Sequence, residues 1–394
     1  SCDDVELNIK RTSKLEYRIS YDDEKDIKAI VFVIGGYGAN ANISFLDFDR
    51  EYIAKNFDVV VVHVFYHCFC ARISNNKKYS ASISFMEEDL LSLSKILLDF
   101  GINPQNLDCK NSTKYYELLI QHIIILKSQG KLAQNYQAKF TSTFIPPNGD
   151  YQNYGIMAAI DHINALKDLV KRFPKFADLP KIYGGGSYGG YLALLIAKIA
   201  PWYVDGVIDN SGTVLPLLEC IIGKDLSRPE FFFSDLNKLV GMFIKTYWTR
   251  EDERLSYFFT NENYMIRSLL NSSHLTIQAS VNKNIILVSY HSLKDPFNTA
   301  KDKQTLFLAY KELGYDATLH LIKDESEIDG RFIKDLNHGM RITDKALFRK
   351  ELPLMLEKLQ KRKSFMQENS ISYPCGNKVF TFKDVENQLK LIIN

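Results

Sequence analysis

The segment Lys181–Pro201, KIYGGGSYGGYLALLIAKIAP, restricts the fold more than any other in the chain. A short apolar run enters a block of glycines that brackets one serine, and a long apolar run leaves it. The exit run YLALLIAKIA is apolar almost all round, as in a helix packed deep against a sheet. Gly185-Gly186-Ser187-Tyr188-Gly189 matches G-x-S-x-G, in which a serine sits on a tight strand-to-helix turn with strained backbone angles. Such a turn needs small residues two positions to either side, and Gly185 and Gly189 meet that need. Gly190 lets the helix approach the sheet closely. The N–H of Tyr188, at the helix start, is then aimed where a substrate oxygen would lie. A glycine turn with an idle serine is the alternative reading. A phosphate-binding P-loop is disfavoured, because no Lys-Ser/Thr pair closes the block.

The rest of the chain supplies a sheet for this turn. KAIVFVIGGYGANAN and FDVVVVHVFY (57–66) carry unbroken β-branched runs, which suit parallel strands covered on both faces. VDGVIDNSG (204–212), NKNIILVSYHSLKD and ATLHLIKDE read as further strands. Helices are expected over QNYGIMAAIDHINALKDLVKRFP, with one apolar stripe at Ile156, Ile160, Ile163, Leu166 and Leu169/Val170 and a stop at Pro174. Another is expected over NTAKDKQTLFLAYKELG, capped by Gly314, and a last amphipathic one over DKALFRKELPLMLEKLQKR. Residues 1–28 read as edge strands. Alternation of strands and helices implies a mostly parallel sheet with helices on both faces, in one domain over 1–394. Two segments break the rhythm, 73–148 and the aromatic-rich 213–280, and both read as largely helical insertions forming a cap. The extension 364–394 reads as a hairpin and a short helix.

Composition narrows the class. The chain has 394 residues, 46% of them apolar and 24% charged, with a net charge of +2. That balance argues against a nucleic-acid or membrane-surface partner, which calls for clustered Lys and Arg. Apolar runs are too short to span a bilayer; YYELLIQHIIIL carries Glu, Gln and His. Cysteines stand at 2, 68, 70, 109, 220 and 375, and the lone C-x-C pair makes a poor zinc motif, so no metal or cofactor is expected. Reduced thiols in a cytoplasmic protein are the expectation, although a first residue other than Met is compatible with a tag scar or a removed export signal.

A serine hydroxyl is a weak nucleophile until an oriented base takes its proton. Downstream of Ser187 the histidines are His274, His291, His320 and His338. His320 lies within an alternating strand, His274 within the aromatic insertion, and His291 at the strand end where an acid belongs. His338, in DLNHGM, follows the last strand, and its trailing glycine allows an inward turn; it is the favoured base. Asp295, in YHSLKDPFNT, is favoured as the acid over Asp324 at the next strand end. Gly36 or Tyr37, in IGGYGANAN, would supply the second oxyanion N–H beside Tyr188.

These motifs resemble the α/β-hydrolase fold, and within it the catalytic domain of prolyl-oligopeptidase and acylaminoacyl-peptidase-type serine hydrolases. The resemblance implies Ser187 as nucleophile, Asp295 as the orienting acid and His338 as the base. It covers about 29–72 and 149–362, and it lacks both the N-terminal propeller and the early His-Gly-Gly-Pro-like loop. A Lys/Asn/Ile/Phe/Tyr-rich, Arg-poor composition suggests an AT-rich bacterial genome. The chain is also similar to α/β-hydrolase-like proteins that accompany surface-glycan and flagellar modification genes. The expected activity is hydrolysis of a carboxylic ester through an acyl-enzyme, on a small-molecule or glycan acyl-ester substrate. Alternatives are an acyltransferase acting on a glycan with the same residues, a non-catalytic accessory protein, and a serine peptidase.

Overall fold

The β-branched runs become strands because their stiff, apolar side chains fit a pleated sheet buried on both faces. In a computed structural model that describes residues 2–38, 43–360 and 362–394, seven strands form the main sheet. They are β1 (Glu16–Ser20), β2 (Ile30–Val33), β3 (Val60–Phe65), β4 (Lys181–Gly186), β5 (Gly206–Asn210), β6 (Ile286–Ser292) and β7 (Asp316–Ile322). Their spatial order is β1-β3-β2-β4-β5-β6-β7. Only β1 runs antiparallel to its neighbour; the other pairs are parallel. Every residue of β2, β3, β5 and β6 is buried, as strands covered on both faces must be. Alternate side chains serve the two faces. Val31, Val33, Ile182 and Ile208 join a core with the helices Ile43–Phe57 and Asp344–Leu359. Phe32 points the other way, stacks on Tyr183 at 4.6 Å and meets His162 of the helix Ile156–Arg172 at 6.1 Å.

The sheet order turns at β2. The chain leaves β2 for β3 on one side and returns with β4 on the other, so the loops after β2 and β4 diverge. In parallel sheets, this divergence opens a crevice at the strands' carboxyl ends. A parallel sheet with one antiparallel edge strand, helices on both faces and a serine turn at the end of β4 is the α/β-hydrolase fold.

The chain divides into two compact units: Ser1–Phe69, Asn153–Pro216 and Phe259–Asn394 in one, Cys70–Gln152 and Leu217–Phe258 in the other. The second unit is drawn largely from the two stretches read as insertions, 73–148 and 213–280. It is not the largely helical insertion the sequence suggested. It holds the expected helices Glu87–Asp99 and Ser112–Ser128, but beside them lies a four-stranded sheet. The strands run in the order Ser82–Ser84, Ala138–Ile145, Lys238–Ile244 and Phe231–Ser234, with a parallel pair at the centre. The strand AKFTSTFI buries Ala138, Phe140 and the run Ser142, Thr143 and Phe144, and consecutive phenylalanines favour the pleated strand. Asp89, at the start of its helix, ties helix to sheet by accepting from the Thr141 and Thr143 hydroxyls at 2.7 Å each.

Residues 259–280 of the expected second insertion belong to the first unit. Arg267 is buried there and pairs with Glu6 at 2.6 Å. His274 Nε2 lies 2.9 Å from the Pro374 carbonyl oxygen. Of the N-terminal edge strands expected over 1–28, only β1 flanks the sheet. The stretch before it turns back at a bridge between Asp4 and Ile9, because the Asp4 carboxylate accepts the Leu7 N–H at 3.1 Å.

The C-terminal extension is a three-stranded antiparallel sheet, Ser370–Cys375, Lys378–Val385 and Gln388–Ile393, rather than a hairpin and helix. Leu389 and Leu391 recur at a period of two, which is strand spacing. This sheet explains a second difference. The helix Ile156–Arg172 is buried on nearly every side instead of along one stripe. Its outer polar residues are covered by the extension: Asn164 accepts the Leu389 N–H at 2.8 Å, and Lys167 pairs with Asp384 at 2.8 Å.

Candidate active site

Ser187 follows β4 directly and opens the helix Tyr188–Ile199, with φ 55° and ψ −121°. An L-residue reaches such angles only where the surroundings dictate them. Here close approach dictates them. A Cβ on Gly185 or on Gly189 would stand 2.0 Å from the carbonyl oxygen of Ile34, at the end of β2. One on Gly190 would stand 1.9 Å from Asp209 Oδ1. The glycine spacing is therefore the space that two neighbouring strand ends occupy. The serine N–H donates to the Asn210 carbonyl at 2.7 Å, and the Gly186 N–H donates to Asp344 Oδ1 at 3.0 Å.

His338 and Asp295 meet the serine. His338 Nε2 lies 2.7 Å from Ser187 Oγ, and its Nδ1 lies 2.8 Å from Asp295 Oδ2. Asp295 reaches this position from the turn after β6, where its other oxygen accepts the N–H groups of Phe297 at 2.9 Å and Asn298 at 3.1 Å. Its side chain is fully buried. Burial pulls its pKa upward, but the bond and charge of His338 and the two backbone N–H groups outweigh that, so it stays below the ordinary carboxylate value. An ionised Asp295 fixes the imidazole as the Nδ1–H tautomer and leaves Nε2 free to accept the serine proton. The Phe297 ring stands edge-on to the imidazole, 5.4 Å away at 82°.

The rival residues serve other purposes. Asp324 caps its own turn, accepting the Ser326 N–H at 3.0 Å. His320 stacks on Tyr290 at 4.4 Å. His291 lies behind Asp295, 3.8 Å from Oδ2, with its Nε2 3.0 Å from the Asn298 carbonyl oxygen. Burial, reinforced by Lys303, holds its pKa below the ordinary imidazole value.

Gly36 and Tyr37 lie in the loop after β2, beside the serine turn on the adjoining strand. The Tyr37 ring meets that of Tyr188 edge-on at 5.3 Å and 83°. The end of the expected oxyanion segment, residues 39–42, lies outside the described residues. Tyr188 opens its helix, where the first N–H groups have no intrahelical acceptor.

Four residues around the site were not singled out in the sequence. Asp344 touches the turn through Gly186, and Asn298 touches Asp295. Asn210 touches both the serine turn and the histidine loop, and Ser211 touches the histidine loop. The available signal was position: DNSG sits at the carboxyl end of a central strand next to β4. Among the described residues, no cluster of His, Cys, Asp or Glu is placed to hold a metal ion, and no helix is long and apolar enough to cross a membrane.

Among solved structures, the chain is similar to Pyrococcus horikoshii acylaminoacyl peptidase, with 15% identity over 90% of this chain and 40% of that one and a TM-score of 0.43. It is similar to Thermogutta terrifontis esterase 2, with 12% identity over 88% and 89% of the two chains and a TM-score of 0.40. A puromycin-hydrolyzing peptidase of Mycobacterium tuberculosis gives 13% identity over 90% and 38%, with a TM-score of 0.43. The chain thus spans about two fifths of the length of the peptidases it resembles. At such identities none of these activities transfers to it. No curated protein matches the sequence. One family model matches residues 1–393, and by that match the chain belongs to DUF2920, described as a protein of unknown function.

Proposed function

We propose that the protein is a serine hydrolase that cleaves a carboxylic ester through an acyl-enzyme. The observation that carries this reading is the unbroken relay from Asp295 Oδ2 to His338 Nδ1 at 2.8 Å and from His338 Nε2 to Ser187 Oγ at 2.7 Å, ending on a serine held at positive φ. In this reading His338 takes the hydroxyl proton as Ser187 Oγ bonds to the ester carbonyl carbon. The N–H of Tyr188 and that of Gly36 or Tyr37 hold the developing oxyanion. Collapse of the tetrahedral intermediate breaks the bond to the alcohol oxygen, which leaves with the proton from His338. Water then repeats the sequence on the acyl-enzyme and frees the acid. Asp295 stays ionised throughout and stabilises the imidazolium.

The test is covalent labelling with a fluorophosphonate, paired with hydrolysis of p-nitrophenyl acetate. The wild-type protein is expected to label at Ser187 and turn over the ester, and Ser187→Ala to do neither. Label retained in Ser187→Ala, or no label in the wild type, would defeat the proposal. Adding glycan acceptors to the same assay separates transfer from hydrolysis, since transfer deposits the acyl group on the sugar.

A further inference from the structure

Ser187 and His338 come from loops 151 residues apart, and the relay works only while those loops keep register. The serine side of the relay is rigid, clamped by the glycine contacts described above. The histidine side is held differently. His338 is followed by Gly339, Met340 and Arg341, all at positive φ (75°, 51° and 53°), with Met340 buried in the core and its N–H donated to the Asn337 carbonyl at 2.9 Å. The Gly339 carbonyl accepts the Ile342 N–H at 2.9 Å within its own loop.

From outside the loop, Ser292 Oγ donates to the Leu336 carbonyl at 2.6 Å, and the contacts next to His338 itself come from the dipeptide after β5. Asn210 Nδ2 donates to the Gly339 carbonyl at 3.0 Å, and the Gly339 N–H donates to Ser211 Oγ at 3.2 Å. The same Asn210 receives the Ser187 N–H on its own carbonyl at 2.7 Å. Ser211 in turn gives its hydroxyl proton to Asn210 Oδ1 at 3.2 Å and accepts Asn298 Nδ2 on its carbonyl at 2.8 Å. Asn298 donates its own N–H to Asp295 Oδ1 at 3.1 Å. Both residues are buried, and Ser211 also sits at positive φ, 58°. Donors and acceptors match at every step, so one dipeptide is bonded to the serine turn and the histidine loop, and through Asn298 to the acid.

We infer that Asn210 and Ser211 are positioning residues: they hold the His338 loop in register with Ser187 and set the distance across which the proton moves. This rests on the reading of Ser187 and His338 given above. Removing the Asn210 amide leaves the nucleophile in place, because a backbone carbonyl fixes it, but frees Gly339 on one side. Loss of alignment between two correctly folded groups lowers kcat more than KM.

The experiment first repeats the fluorophosphonate labelling on the full chain; a wild type that does not label ends the parent reading and is distinct from failure here. Given labelling, Asn210→Ala is expected to lower kcat for p-nitrophenyl acetate about 10- to 100-fold. KM should stay within about two-fold, with the folded state verified by circular dichroism. In a His338→Ala background the same substitution should produce no further loss. A kcat within about two-fold of wild type, or an equal loss in the His338→Ala background, overturns the inference. If Asn210→Ala does not fold, Ser211→Ala, which removes only the hydroxyl at Gly339, carries the same test.

Discussion

At the scale of single residues, the proposed chemistry depends on proton positions. Asp295→Asn keeps the shape but places an amide donor or a neutral oxygen against His338 Nδ1, which lets the imidazole adopt the tautomer that cannot accept from Ser187. The expected result is a fall in kcat of about three to four orders of magnitude with the fold intact, read by ester hydrolysis and circular dichroism. A second carboxyl gives a prediction of opposite sign. Asp344 is partly buried and accepts the Gly186 N–H, just before Ser187. Burial pushes its pKa up to about 7, against the Gly186 bond that lowers it, and Asp49 adds to the rise. A raised carboxyl binds a proton in the native chain that the unfolded chain has already lost. Its contribution therefore favours folding at low pH and is lost as pH climbs from the ordinary carboxylate range of about 4 toward 7. Asp295, depressed in the native chain, does the reverse, losing its contribution only as pH falls through its native pKa. Asp344→Asn should thus raise the urea midpoint relative to wild type at pH 8 and leave it closer to wild type at pH 4; an equal change at both pH values would contradict this. The convergence of Ser187, His338 and Asp295 can be read from the sequence because each lies in a short, distinctive stretch beyond a strand end. Asn210 was not, because part of its bonding runs through its backbone carbonyl, and no residue pattern encodes that.

Among the elements, the serine turn is the one whose sequence and geometry correspond letter by letter. Gly189→Ala would drive a methyl into the Ile34 carbonyl, where only 2.0 Å is available, so either β2 or the helix must move. Destabilisation of about 3 kcal/mol or more is expected from urea unfolding, at or above the usual range for overpacking. Gly186→Ala is the matched control. Its added carbon meets nothing nearer than Asp344 Oδ1 at 3.5 Å, an ordinary contact, and stability should change by less than about 1 kcal/mol. If the two variants lose equal stability, the glycines serve the turn by backbone freedom and not by close approach. The central strands were equally readable, since Val/Ile runs buried on both faces carry a strong signal. The sheet of the second unit was hidden, because Phe231–Ser234 gives three aromatic residues in a row and no alternation. A period that short cannot be told from a helical cluster by sequence alone.

For the molecule as a whole, the extension 364–394 shows why an element's pattern can mislead about its surroundings. The sequence assigned the helix Ile156–Arg172 one buried stripe, which describes its contact with the sheet, but Asp161 is covered by Arg11 and the His67 N–H, and Asn164 and Lys167 are covered by a segment more than 200 residues downstream. Asp384 makes the tie. It lies 2.8 Å from Lys167 Nζ, accepts Trp202 Nε1 and the Tyr203 hydroxyl at 3.1 Å each, and accepts the Asn369 N–H at 2.9 Å. The Lys167 and Asp384 side chains are 3% and 1% exposed, so removing the lysine strands a buried carboxylate, and removing the aspartate leaves the ammonium only the exposed Glu368 at 3.7 Å. Asp384→Ala should therefore destabilise by about 3–5 kcal/mol, the usual cost of breaking a buried pair on one side. Replacing both partners, Lys167→Met with Asp384→Leu, removes the charges together and should recover part of that loss, even though the Trp202 and Tyr203 donors stay unmatched. Urea unfolding of the two single variants and the double one closes the cycle. A double variant as unstable as the sum of the singles would show that the lysine and the aspartate do not act as a pair, and that Asp384 holds the extension in place through its neutral hydrogen-bond donors alone.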